Sequence, residues 1–260
     1  MLRRALKMTF WVVYDHLGKL LIVNVCCAVV LLGPVMLGLG ALLGRDLAGA
    51  LYVGLPLFGL TFGVLWPVLA AGLAHMVKEL IETRDGTVGA FFAGLRLYGL
   101  RAAGMGLCLL FAACCLAGSA VFYAYRLRER AAWLGYGLSA LALWGLLFVL
   151  LVSIMAMPAL VQKRAGVFAT LKLSALLVLD NPLFLLGLAP YFVLLAVASL
   201  APPAFAFLTP AVSVVLASSA YEMLSRKYAA IEARREVDFR DAEDDYLNRG
   251  LRDFLFPWKS

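Results

Sequence analysis

The sequence predicts an all-α, polytopic membrane bundle of about six transmembrane helices with both termini in the cytoplasm. Three observations predict it: an apolar excess too large for a soluble surface, apolar blocks of spanning length, and basic residues confined to alternate sides of those blocks. Hydrophobic residues make up 64% of 260 positions and charged residues 15%, against roughly 25% charged in an ordinary soluble domain. Several blocks exceed the ~18 to 20 apolar residues that a helix needs to cross a ~30 Å hydrocarbon layer.

The first block runs from about Leu20 to Leu43, and Gly33-Pro34 within it should bend the helix, because proline withholds an N–H and crowds the carbonyl one turn back. The second runs from about Leu47 to Val77, with Pro56 and Pro67 marking further bends, and the short link at Arg45 and Asp46 makes a tight helical hairpin. The third spans about Ala102 to Tyr123, the fourth Trp133 to Pro158, the fifth Leu183 to Leu200 and the sixth Pro203 to Leu224, the last two joined at Pro202-Pro203. Tyr14, Tyr52, Tyr123, Trp133, Tyr136 and Tyr221 stand at block ends, where amphipathic rings favour headgroup depth. The block after Lys19 is too long for the core of a secretion signal and lacks an A-x-A cleavage pattern, so the first helix is expected to stay as an anchor.

Orientation follows from the basic residues. One side collects Arg3, Arg4, Lys7 and Lys19, then Lys78, Arg84, Arg96 and Arg101, then Lys163, Arg164 and Lys172, then the tail from Arg226 onward; the other holds only Arg45, Arg126, Arg128 and Arg130. Cytoplasmic loops carry the excess of Lys and Arg, so both ends are placed in the cytoplasm, and the expected location is a bacterial inner membrane.

Two cytoplasmic segments echo one another. Phe92-Ala93-Gly94-Leu95-Arg96-Leu97 resembles Phe168-Ala169-Thr170-Leu171-Lys172-Leu173, each after an even-numbered block and before an odd-numbered one. Each is expected to lie in the interface with its apolar face toward the acyl chains and Arg96 or Lys172 reaching a lipid phosphate. The alternatives of a true hairpin repeat and of chance likeness in an apolar chain stay open. Residues 1–225 form the bundle on this scheme, and 226–260 form a cytoplasmic tail. In the tail Leu247, Leu251, Phe254 and Leu255 share one helical face, while Asp241, Glu243, Asp244 and Asp245 open that helix where negative charge suits its dipole.

Polar residues near or within the blocks are the candidates for binding. Asn24 lies inside the first block, where a buried amide bonds a neighbouring helix or touches a substrate. His75 and Glu222 lie at cytoplasmic block ends, each four positions from a partner, Glu79 and Arg226. Asp180 opens the run Asp180-Asn181-Pro182, a helix start with proline at the first position. Gly40-x-x-x-Gly44 and Gly59-x-x-x-Gly63 would let helices approach closely.

Other chemistry finds no motif. The basic residues punctuate apolar blocks instead of forming one patch with aromatic platforms, so nucleic acid is not an expected partner. Cys26, Cys27, Cys108, Cys114 and Cys115 lie in apolar stretches with no C-x-x-C pair, and His16 and His75 cannot supply a histidine metal cage. Neither a phosphate loop nor a nucleophile elbow nor a dinucleotide turn is found. No catalytic residue, metal or cofactor is expected.

Pro67-Val68-Leu69-Ala70-Ala71-Gly72-Leu73-Ala74, followed by Lys78, Glu79, Arg84-Asp85-Gly86 and Phe91-Phe92-Ala93-Gly94-Leu95-Arg96, resembles the YesL-like family of bacterial membrane proteins of unknown function, as does the later run from Leu171 to Asp180-Asn181-Pro182. Leu65-Trp66-Pro67-Val68-Leu69 stands where members carry T-x-G-P-A-T, and one more hairpin precedes it. The resemblance implies association with sugar uptake in some members and no established activity. The expected function is a non-enzymatic accessory or regulatory component of a transport or envelope system, working in the lipid bilayer and meeting a membrane protein partner through its cytoplasmic face or tail. A small transporter or channel is the alternative, and a membrane enzyme acting on lipid is a second.

Overall fold

The computed structural model describes residues 1–44, 47–127, 131–232, 245–249 and 253. The helices are α1 (Leu2–Asp15), α2 (Leu17–Leu43), α3 (Leu47–Thr83), α4 (Val88–Leu127), α5 (Ala132–Lys163), α6 (Val167–Asp180), α7 (Pro182–Ala198), α8 (Pro202–Phe207), α9 (Thr209–Glu232) and α10 (Asp245–Asn248). Among the described residues there is no strand. Arg45, Arg128 and Arg130 lie outside them, as do Asp241, Glu243, Asp244, Leu251, Phe254 and Leu255 of the tail face.

Four helices, α2 to α5, are long and apolar enough to cross a membrane, and a fifth appears only if α6 and α7, bent by 104° at Asn181, count as one. Blocks one to four are therefore helices of spanning length. Neither block five nor block six alone is both long and apolar enough. Block five becomes α7, whose 17 residues reach ~25 Å at 1.5 Å per residue. Block six is divided at Leu208 (φ −139, ψ −54) into α8 and α9. Pro210 explains the break: within a continuous helix its ring would meet the Ala206 carbonyl, whereas the first turn of a new helix accepts proline without loss.

Composition did not mark α9 as the centre of the molecule, yet α1, α2, α3, α5 and α7 all surround it. Almost every side chain from Val214 to Leu224 is buried. The run Ala217-Ser218-Ser219-Ala220 suits such a place, since small residues let neighbouring backbones come close. Tyr221, expected in an interfacial belt, is only 3% exposed and belongs to this core instead. Tyr52 and Trp133 are exposed, as an interfacial position requires.

The proline bends of α3 take a specific form. Ala50–Gly54 and Thr61–Leu65 widen into π-type turns, each ending two residues before a proline, Pro56 or Pro67. Widening moves the carbonyl that the proline ring would strike and cannot pair. Thr61 Oγ1 donates to the Leu57 carbonyl at 2.7 Å. Close approach of α3 and α4 includes one of the expected glycines, Gly63, whose carbonyl a Cβ on Gly106 would meet at 2.5 Å, and falls also at Gly94, where a Cβ would meet His75 Cβ at 2.7 Å; Gly40 and Gly59 have open space.

α7 and α9 run antiparallel. Ser199 Oγ donates to Thr209 Oγ1 at 2.7 Å at one end, and Asn181 Nδ2 donates to Tyr228 Oη at 2.7 Å at the other. The Ser199–Thr209 end lies beside Asn24, little more than a turn past Lys19, while α2 continues to Leu43. On α3 this hairpin packs along Trp66–Thr83, and the Ala50–Leu60 stretch packs on α2. The deepest core, Met8, Leu73, Met76, Tyr98, Met155 and Met223 among it, lies in the half shared with the hairpin. The far half keeps Val29, Leu43, Phe111 and Trp144 exposed.

Candidate functional site

The charged end of the bundle is assembled from segments far apart in sequence. Lys19 lies 3.9 Å from Asp85, joining the start of α2 to the α3–α4 turn. That turn follows Arg84, which ends α3 in the left-handed region at φ 60; Arg164 ends α5 the same way at φ 50. Thr87 Oγ1 then accepts from the Ala90 N–H at 3.3 Å and caps α4. Arg101 Nη1 donates to the Arg164 carbonyl at 3.3 Å, and Tyr98 Oη to the Val161 carbonyl at 3.2 Å, tying α4 to the α5–α6 corner.

The tail closes this end. Tyr246 is 2% exposed, with its hydroxyl 3.2 Å from His16 Nε2 and 3.4 Å from the Leu80 carbonyl. Lys7 donates to the Leu247 carbonyl, and Arg249 pairs with Asp15 while its guanidinium lies 5.3 Å from the Trp11 ring. These contacts require α1, a helix absent from the expected list of spans, whose Ala5, Met8, Trp11 and Val12 face the core. Burial, and after it the charge of Lys19, holds the His16 imidazole below its usual range.

A second cluster occupies the α6–α7 corner. Asn181 Oδ1 accepts from Lys227 Nζ at 2.6 Å, Lys227 lies 3.8 Å from Asp180, and the Tyr228 hydroxyl donates to Asp180. Burial and then that hydrogen bond raise the Tyr228 phenol above its usual range. Asn181 stands where a side-chain cap was expected, but it caps no N–H of α7; it bridges to α9 instead.

Each sequence candidate has a defined place. Asn24, 1% exposed, accepts from the Ala211 N–H at 2.8 Å and so caps the first turn of α9 from another helix. His75 Nε2 lies 3.6 Å from Glu79, with Nδ1 buried and without a partner and the ring against Tyr98. Glu222 pairs with Arg226 at 2.9 Å and borders a small cleft with Lys78, Glu82, Gln162 and Ser218. The cleft has about 10 Å³ of free space, roughly one water. Arg96 and Lys172 are exposed. The four polar candidates do not converge on one cavity. Lys227, Tyr228 and Tyr246 were missed: only the separation of short polar runs from apolar blocks pointed to them, and their partners lie 46 residues or more away.

The fold defines a class: an all-helical protein carrying four to five apolar helices of membrane-spanning length. No family model, curated protein or solved structure matches the chain.

Proposed function

We propose that this is a non-enzymatic membrane protein, akin to the YesL-like family, that assists or regulates a transport or envelope system from the cytoplasmic face of a bacterial inner membrane. One observation carries the reading: the N-terminal helix, both arginine corners, the α6–α7 junction and the tail meet at a single end, where polar contacts hold these segments together. Such an end offers a composite surface for a partner. Asn24 and Asp180 join neighbouring helices, His75 and Glu222 pair within their own helices, and the four share no cavity, which favours an accessory role over a solitary transporter.

The same contacts support a topology. Segments assigned to the cytoplasm by their charge touch one another: Lys19 with Asp85, Arg101 with Arg164, Asp180 with Lys227. Both termini are cytoplasmic. Four helices cross, and α7 to α9 form a re-entrant hairpin that enters from the cytoplasm, turns at the depth of Asn24 and returns, so the parity expected of six spans is kept with four. The test is mild detergent extraction from the native membrane, with quantification of co-purifying proteins for the full chain and for a chain ending at Glu232. A stoichiometric partner lost with the tail supports the role. A lone chain that carries solute across liposomes by itself overturns it.

A further inference from the structure

The α4–α5–α6 region is electrostatically one-sided. Between Val88 and Leu179 the chain has a single acidic residue, Glu129, in the link that follows α4 in sequence, whereas Arg96, Arg101, Lys163, Arg164 and Lys172 all belong to the charged end. Arg101 spends one N–H on the Arg164 carbonyl, and Lys163, Arg164 and Lys172 are exposed. None of these cations is in an ion pair with another described residue.

Apolar side chains share the surface. Leu100, next to Arg101, is 91% exposed, and Phe168, one turn before Lys172, is 81% exposed. Leu176 and Leu179 continue the α6 stripe, also exposed, while Thr170, Ser174, Leu177 and Val178 bury the opposite face. The 104° bend lays α6 across the direction of α7. A helix lying across a span, with an apolar outer stripe interrupted by a lysine, matches the layering of acyl chain beneath headgroup. Water would penalise the leucines, and a zwitterionic headgroup would leave the cations half-matched.

We propose that the α5–α6 corner, with Arg101 from α4, is a binding site for the phosphate of an anionic phospholipid in the cytoplasmic leaflet. Arg101 and Arg164 clasp the headgroup, Lys163 and Lys172 flank it, and Leu100 and Phe168 cover the start of its acyl chains. Guanidinium groups suit a phosphate because they present several N–H donors in a plane. The inference rests on the bilayer topology proposed above and adds a lipid preference to it.

The experiment uses the full chain in nanodiscs of phosphatidylcholine containing a minor fraction of phosphatidylglycerol, with the lipids retained after release counted by native mass spectrometry. Wild type should retain phosphatidylglycerol above its bulk fraction, and Lys163→Gln/Arg164→Asn should lower that retention by about fivefold per cation removed; asparagine tolerates the left-handed backbone at this position. Arg3→Gln/Arg126→Gln, which removes equal charge elsewhere, should retain wild-type preference. Equal retention in both variants, or none in wild type, overturns the site. Displacement by soluble glycerol phosphate also overturns the lipid as occupant. Release of the wild-type chain from liposomes by an alkaline wash would overturn the bilayer topology itself, and is distinguishable from a loss of preference within an inserted protein.

Discussion

At the scale of single residues, the polar side chains inside the apolar mass act as fasteners. Asn24 fills the place of a helix cap from a neighbouring helix, because Pro210 has no N–H and the first turn of α9 lacks a partner of its own. Asn24→Ala should destabilise the protein by ~1–3 kcal/mol, the cost of leaving a buried donor unmet, whereas Asn24→Asp keeps the acceptor; thermal unfolding in detergent separates the two, and equal losses would sink the capping role. His16 gives a second expectation. Its folded pKa is lowered by burial from 6.5, so the unfolded chain takes up the proton first, and the stability this residue contributes is whole above about pH 6.5 and declines as the pH falls below it. Facing groups act in both directions, with Asp15 opposing Lys19, Arg249 and Arg84. The melting temperature should fall between pH 7.5 and 5.5, and His16→Gln should flatten that fall; parallel slopes in the two proteins would refute the assignment.

At the scale of elements, legibility followed the distance over which the deciding interaction acts. The starts of α2, α3 and α5 could be read to within three residues, because a run of apolar residues is a local property, whereas α3 and α5 continue to Thr83 and Lys163, past the expected Val77 and Pro158. The lead-in before the third block was placed correctly in sequence but misjudged in form: Val88 to Leu127 is one continuous helix, since nothing between Arg96 and Ala102 breaks it. α6 did emerge as a separate helix, and both echoed hexapeptides follow a left-handed arginine and a glycine-containing turn, at the fifth residue of α4 and the second of α6. Most of the sixth block lies in α9, which packs against five other helices, a placement that a hydropathy window cannot tell from one facing lipid. Nor could local patterns show Tyr246 seated beside His16, a contact that depends on where α1 lies.

At the scale of the whole molecule, charge alternation supports the proposed orientation, and the number of crossings turns on the α7–α9 hairpin. In a background lacking the five cysteines, single cysteines at Asp85, Ser199 and Tyr125 separate the schemes. The re-entrant hairpin predicts labelling of position 85 from the cytoplasm, of 125 from outside and of 199 from neither; labelling of 199 from outside would restore six crossings.

The re-entrant hairpin proposed above has a mechanical corollary. In that arrangement α1, α6, α7 and α9 gather at one end and only α2 to α5 continue to the other, which would give the protein the outline of a wedge. Inserted in a single orientation it displaces more area from one leaflet than from its opposite, and a dense population would relieve that mismatch by bowing the sheet with its broad base on the convex side.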